Sequence, residues 1–263
     1  LADKGAGRAA APPFEGFYQR PQLKRWLDAL PRRFSCRAFS APADLSQYSA
    51  LEYAAGRAAL PGVRLALSPR GARELVVSVP LFPRFEGLQA FAAILVKPGL
   101  KWGRLCAGMS GEALALEMAA MGLSGCFMTG NYRRDLARGL VKEGEEIAAV
   151  IPFGVPKDPE GARGRKRKPL AAFCADDPAK WPHWAYKAAE AMRSAPSAMN
   201  RQPWRLGFSG STLSFSGNKP DSVDSGIALL HLECAAGSLP RAWSLARDGK
   251  TLLLRTEETD EPV

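Results

Sequence analysis

Two short stretches carry side chains suited to gripping a flat, charged molecule. The first is Ser194-Ala195-Pro196-Ser197-Ala198-Met199-Asn200-Arg201-Gln202-Pro203-Trp204-Arg205, where two amides, a hydroxyl and an indole fall close together. Pro196 cannot continue a helix, and Ser194 and Ser197 can bond the backbone groups that a turn frees. Such a turn can hold a ring with polar edges over an aromatic floor. The same residues also make a well-capped helix–strand connection with Trp204 in the core. The second stretch is Arg32-Arg33-Phe34-Ser35-Cys36-Arg37-Ala38-Phe39. Its two arginines flank a serine at alternate positions, so two guanidiniums and a hydroxyl can meet one phosphate. Taken alone, that pattern reads equally well as surface decoration.

Hydrophobic spacing and breakers supply the elements that must position these groups. A helix starting near Trp181 and ending at Arg193 leads into the first stretch, which feeds a strand over 206–209. Helices are predicted over 22–30 (stopped by Pro31), 44–57, 110–121 (ended by Gly122) and 132–140. Residues 63–67 and 74–79 read as a hairpin around Ser68-Pro69-Arg70-Gly71, with further strands over 91–96 and 147–153. Residues 80–87, with Phe82 and Phe85, are either a mobile flap or aromatics packed under a loop. Residues 123–131, small and apolar, run from a turn into a strand. From about Asp176 the pattern restarts: a helix leads through Pro203 into a strand, as the helix over 44–57 leads through Pro61. Residues 226–236 echo 111–120, and each echo runs on into a strand, over 242–246 in the later copy.

Composition is that of ordinary globular material, 46% hydrophobic and 24% charged. No apolar run approaches the roughly 20 residues that span a bilayer. Residues 1–13, rich in Ala, Gly and Pro, lack the apolar centre of a secretion signal and read as a flexible arm. Five scattered cysteines without a Cys-x-x-Cys pair point to reduced thiols and a cytoplasmic setting. His231 and Cys234 lie three apart, but no second ligand pair accompanies them for zinc. A hydrolase lacks Gly-x-Ser-x-Gly and has too few histidines with acidic partners for a triad. With 36 Lys and Arg against 26 Asp and Glu, the net charge of +10 suits an anionic ligand or a nucleic acid. The charge clusters only in Arg163-Gly164-Arg165-Lys166-Arg167-Lys168.

The Ala195–Trp204 segment resembles the APS-x-x-N-x-QPW segment of the nitroreductase family, FMN-dependent oxidoreductases of α+β fold, and in particular the branch in which two half-size copies are fused. Arg33, Ser35, Arg37 and Phe39 resemble that family's opening R-R-S-x-R-x-F signature, with Phe34 standing where its second arginine belongs. Leu123–Asn131 resembles G-L-G-T-C-W-x-G-G, and Gly154-Val155-Pro156 resembles G-Y-P. Arg165 and Arg167 match a basic pair before Pro-Leu. The resemblance implies an α+β chain of two related halves forming an intramolecular pseudo-dimer: an arm over 1–20, a first half over 21–175 and a shorter second half over 176–263. It further implies that Arg33, Phe34, Ser35, Arg37, Arg165 and Arg167 form the FMN phosphate site. An amide from Phe127, Met128, Thr129 or Gly130 would meet the flavin N5, and Pro196, Ser197, Asn200 and Gln202 would hold the ring from the other half. Arg201 or Arg205 would stand near N1. NAD(P)H is the implied transient co-substrate, with a nitroaromatic or quinone-like acceptor, no catalytic side chain, no nucleic-acid or membrane partner, and a monomeric state. FMN binding without turnover, or nucleic-acid binding through the basic loop, are the rival expectations.

Overall fold

In the computed structural model, residues 12–77, 84–161, 166–237, 241–245 and 251–256 are described. Chain order is α1 (Arg20–Ala29), β1 (Phe39–Ala41), α2 (Leu45–Ala58), β2 (Val63–Ser68), α3 (Ala72–Leu75), β3 (Ala90–Val96), α4 (Gly103–Ala120), β4 (Ser124–Gly125), α5 (Arg134–Ala137) and β5 (Glu146–Pro156). Then follow α6 (His183–Arg193), β6 (Trp204–Ser209), β7 (Thr212–Gly217), α7 (Val223–Ala236), β8 (Arg241–Leu245) and β9 (Leu252–Thr256).

The strands form two antiparallel sheets. The first runs β1-β5-β3-β2, with the short β4 also on β5; the second runs β6-β7-β9-β8. β3 is buried along its whole length because both faces are covered. Ala90, Ala92, Ile94 and Val96 face the main core, while Phe91, Ala93 and Leu95 face a smaller cluster with Leu75, Tyr132 and Val150. That is why its sequence is a continuous apolar run instead of an alternation.

Between the sheets lie α4 and α7. α4 packs on β2, β3 and β5, α7 touches β7, and the two helices pack against each other. They are buried almost all round, as their Ala-rich, unstriped sequences require. Close approach is possible because glycines meet at the crossing. A Cβ on Gly226 would collide with the Leu105 carbonyl and stand 2.8 Å from the Met109 nitrogen, and one on Gly108 would strike Val223.

Three expectations need correction. β2 pairs with β3, from Val63↔Val96 to Ser68↔Phe91, and not with residues 74–79. Gly71, at φ 92°, opens a single helical turn over Ala72–Leu75, so the chain leaves the sheet where a hairpin strand was expected. Residues 78–83, which include half of the supposed flap, lie outside the described residues. The arm expected to run to residue 20 is anchored from residue 12: Phe14 and Tyr18 are buried, and the Tyr18 hydroxyl donates to the Ala58 carbonyl at 2.8 Å. Finally, the 175/176 boundary does not divide two cores, since one hydrophobic cluster runs from Phe14 to Leu254. Residues 173–175 also pair along β6, with Leu206 N donating to Phe173 O and Ala175 N to Leu206 O, both at 2.9 Å.

Candidate functional site

After α1 the chain turns at Pro31 and runs beside the short β4. Ser35 bridges Gly125 in parallel, and Cys36 N donates to Gly125 O at 3.1 Å. The Arg-x-Ser-x-Arg stretch and the 123–130 stretch are therefore neighbours. Cys126 N and Met128 N donate to β5 carbonyls, Pro152 and Val150, at 3.2 and 2.8 Å. Strand alternation then turns the intervening Phe127 and Thr129 away from β5. Facing them, from the far side of the molecule's sequence, is the turn after α6 together with the first turn of α7.

These pieces enclose a cleft lined by Ser35, Arg37, Phe127, Thr129, Pro196, Ser197, Met199 and Asp224, with Val223 and Ile227 as its apolar wall. Six of the anticipated residues thus meet: Ser35, Arg37, Phe127, Thr129, Pro196 and Ser197. Four others stand apart from it. Arg33 is buried at 3% exposure, its Nε 2.8 Å from Glu112 Oε1, and its guanidinium lies 6.0 Å from the Phe127 ring centre on the side away from solvent. Phe34 packs against Gly161, leaving no space for a Cβ there. Met128 has its amide committed to β5, and Gly130 is exposed beyond the cleft's edge. Arg165 lies outside the described residues.

Asn200, Gln202 and Arg167 form a brace beside the cleft. Arg167 Nη1 donates to Asn200 Oδ1 at 3.1 Å, and its Nε and Nη2 donate to Ser194 O at 3.2 and 3.0 Å. Asn200 Nδ2 donates to Lys166 O, and the buried Gln202 accepts from Lys168 N at 3.0 Å. Ser197 Oγ accepts from Gln202 N at 2.8 Å. This network holds a left-handed tract: Met199, Asn200 and Gln202 have φ of 51°, 53° and 50°, a conformation costly for residues other than glycine. Arg201 and Arg205 are both present nearby, the latter donating to Trp204 O.

Asp224 and the buried pair beneath the cleft were not anticipated from the sequence. Both Asp224 carboxylate oxygens accept from Ala198 N, at 3.0 and 3.1 Å, tying α7 to the turn. Burial pushes its pKa above the usual carboxylate range, against the pull of the Ala198 amide and Arg201. Its only sequence signal was its place in the first turn of a helix capped by Ser222. Below the cleft, His231 Nε2 lies 2.7 Å from Glu112 Oε1, and Nδ1 lies 3.0 Å from Ser194 Oγ. His231 thus has an acidic partner that nothing near it in the sequence reveals. Ser194 is not placed as a nucleophile, because its Oγ donates to Ala191 O at 2.7 Å and it is not among the residues lining this cleft. Both His231 ring nitrogens are thereby engaged, which removes the ring from pairing with Cys234 on a metal. At the cleft wall, burial pushes the Cys126 thiol pKa up, away from the thiolate, with Arg37 and Arg33 pulling the other way.

The donor set fits a flat group with an anionic tail: a guanidinium and hydroxyl at one end (Arg37, Ser35), an apolar wall of Pro196, Val223 and Ile227, and outward-facing backbone at 127 and 129. The enclosed volume, about 90 Å³, is below the roughly 300 Å³ at which ligand pockets begin. A ring-sized ligand therefore needs the 198–200 turn to move outward, against the Asp224 and Arg167 bonds that hold it.

The model of a family described as "Putative TM nitroreductase" matches residues 27–236. Among solved structures, a "putative nitroreductase" from Thermotoga maritima MSB8 superposes with a TM-score of 0.60 at 21% identity, over 98% of this chain and 100% of that one. The FMN-dependent nitroreductase NfnB from Mycobacterium smegmatis, in complex with NADPH, matches 57% of this chain and 97% of its own at 18% identity and a TM-score of 0.45. A nitroreductase family protein from Streptococcus pneumoniae TIGR4 matches 58% of this chain and 100% of its own at 11% identity and 0.46. No curated protein matches the chain.

Proposed function

Because the chain belongs to the family described as "Putative TM nitroreductase", and shares the fold of the Thermotoga maritima protein over nearly its whole length, we propose that it is an FMN-dependent oxidoreductase that passes electrons from NAD(P)H to a small organic acceptor. The observation that carries the reading is the convergence of Ser35 and Arg37 with Phe127, Pro196 and Ser197 on one cleft. These residues come from segments about 160 positions apart. FMN, when bound, supplies the hydride chemistry.

The chain's own residues bind, orient and exclude water. Arg37 and Ser35 would hold the phosphate, and Arg167 would steady the neighbouring turn through Asn200 and Ser194. The Phe127 and Thr129 amides offer donors to the ring edge, and such donors favour charge that develops there on reduction. Pro196 and Ile227 would pack against the ring, and NAD(P)H and the acceptor would be its successive partners. Arg33 is assigned a different role from the one its motif implies: it underlies the site without touching it. The two-sheet arrangement around the α4–α7 crossing is the basis for treating the chain as a pseudo-dimer with a single complete site, monomeric in solution. Its working compartment is taken to be the cytoplasm on its five scattered cysteines without a Cys-x-x-Cys pair; separately, among the described residues no helix is long and apolar enough to cross a membrane.

The test is the visible absorption spectrum of the purified protein, followed by NAD(P)H oxidation with a nitroaromatic or a quinone. Bound oxidised flavin and steady turnover are expected. Arg37→Ala and Asn200→Ala should each weaken flavin retention, and full occupancy in both variants would remove the site assignment. Flavin without turnover would favour a binding protein over an enzyme.

A further inference from the structure

We propose that Glu112 and His231 hold one proton between them beneath the cleft, and that the charge of this proton favours the reduced form of a redox ring bound above it. The second half of the proposal rests on the flavin reading given above; the first does not.

The proton follows from what faces each nitrogen of His231. Ala191 O, which can only accept, lies 3.1 Å from Nδ1, and it also takes the Ser194 hydroxyl hydrogen at 2.7 Å. Ser194 Oγ therefore presents lone pairs to Nδ1 at 3.0 Å. Two acceptors face Nδ1, so Nδ1 carries a hydrogen. On the other side, Nε2 is 2.7 Å from Glu112 Oε1. Two bare lone pairs at that separation repel, so a second proton lies between Nε2 and Oε1, whichever atom holds it more closely. The other oxygen, Glu112 Oε2, is buried without a hydrogen-bond partner among the described residues. A full carboxylate there would leave charge on a bare atom in a dry interior, which again favours a shared proton. The charged group facing the pair from the remaining element is Arg33, at 2.8 Å from Oε1.

The pair's position gives it a function. On α7, Asp224, Ile227 and His231 follow at helical spacing along one face, and the first two line the cleft. Arg33 approaches from behind Phe127, another lining residue, at 6.0 Å. Ser194 precedes Pro196 by two positions. The proton is thus fixed one helical turn below the cleft in a region sealed from water, since Glu112 and His231 are both 0% exposed. The proton cancels the Glu112 carboxylate charge there, and a charge left uncancelled at such a place acts through little screening.

His231→Gln removes the shared proton and leaves the Glu112 carboxylate, making the region more negative by one charge. Glu112→Gln leaves a neutral histidine and a neutral amide, so the charge of the pair is unchanged. The expected result is a midpoint potential of the bound flavin that falls in His231→Gln, by at least a tenfold shift in the equilibrium or about 30 mV for a two-electron couple, and that holds in Glu112→Gln. Equal shifts in both variants, or none in His231→Gln, would overturn the coupling. Should either variant fail to fold, the wild-type protein decides the first half without any flavin. Only two histidines exist, so a ¹⁵N-histidine NMR spectrum has two imidazoles to assign, the exposed His183 and His231. A protonated Nδ1 on His231 is expected, and a bare Nδ1 overturns the assignment. If the protein binds no flavin at all, the oxidoreductase reading and the coupling both fail, while the imidazole spectrum still reports on the proton.

Discussion

Replacing Gly226 by alanine should destabilise this protein more than any other single-methyl addition in its helices. A Cβ at this position collides with the Leu105 carbonyl and stands 2.8 Å from the Met109 nitrogen, where an unstrained contact needs about 3.5 Å. Both obstacles are helix backbone, so no side chain can swing aside and α4 and α7 must separate by the missing distance. Overpacking of a dense core costs about 1–3 kcal/mol. With two backbones displaced, the upper end, about 3 kcal/mol, is expected, a large share of the roughly 5–15 kcal/mol by which domains are stable. Urea unfolding followed by circular dichroism measures it as a lower midpoint at unchanged slope. Gly56→Ala is the matched control. Gly56 lies in α2, exposed, with nothing within 4 Å of the added methyl. Its variant should gain about 0.5–1 kcal/mol from helix propensity. If Gly226→Ala lay within about 0.5 kcal/mol of wild type, the close crossing of the two helices would be wrong. The variant should also loosen the cleft, because Asp224 and Ile227 flank the altered position.

Asp224→Asn should tighten retention of an anionic cofactor several-fold, since it removes a carboxylate from the cleft that holds Arg37. Because burial raises the pKa of Asp224, wild-type retention should improve as pH falls through its titration, and equilibrium dialysis across pH should show this trend vanish in the variant. Glu145 is held at a pKa of about 2 by its hydrogen-bonded Arg64, from an ordinary 4.5. The lowered value means that the pair's contribution is fully present above about pH 4.5 and is lost as pH falls toward 2. Glu145→Gln should therefore abolish that part of acid sensitivity, worth no more than about 1 kcal/mol for a partly exposed pair, as read from acid titration of stability.

Local chemistry made much of the site legible beforehand. Alternate Arg-Ser-Arg spacing and the proline-broken turn after α6 could be read directly, and both end in the same cleft. The Ala-rich stretches over 110–121 and 226–236 were readable as helices because propensity and burial agree there. What escaped depends on partners remote in sequence. Arg33 carries the same side chain as Arg37, yet its neighbour is Glu112, 79 positions on in an unremarkable helical run. Nothing near either residue marks the pairing. The supposed hairpin failed because Val63–Ser68 had two candidate partners, and the fully apolar Ala90–Val96 offered the better buried surface. Met128 was offered as one amide among four equals, although period-two alternation separates it from Phe127 and Thr129 once the neighbouring strand is known.

The glycine crossing also constrains how the polypeptide can acquire its shape during synthesis. The packing around α4 is completed only by α7, about 115 residues downstream. Until that stretch emerges from the ribosome, the surface around Gly108 and the Glu112 carboxyl face water or a chaperone. Closing so long a loop before its contacts form is slow, so the nascent chain has an extended period of vulnerability. Any product truncated before Val223 would present the half-built interior of the molecule as a sticky exterior.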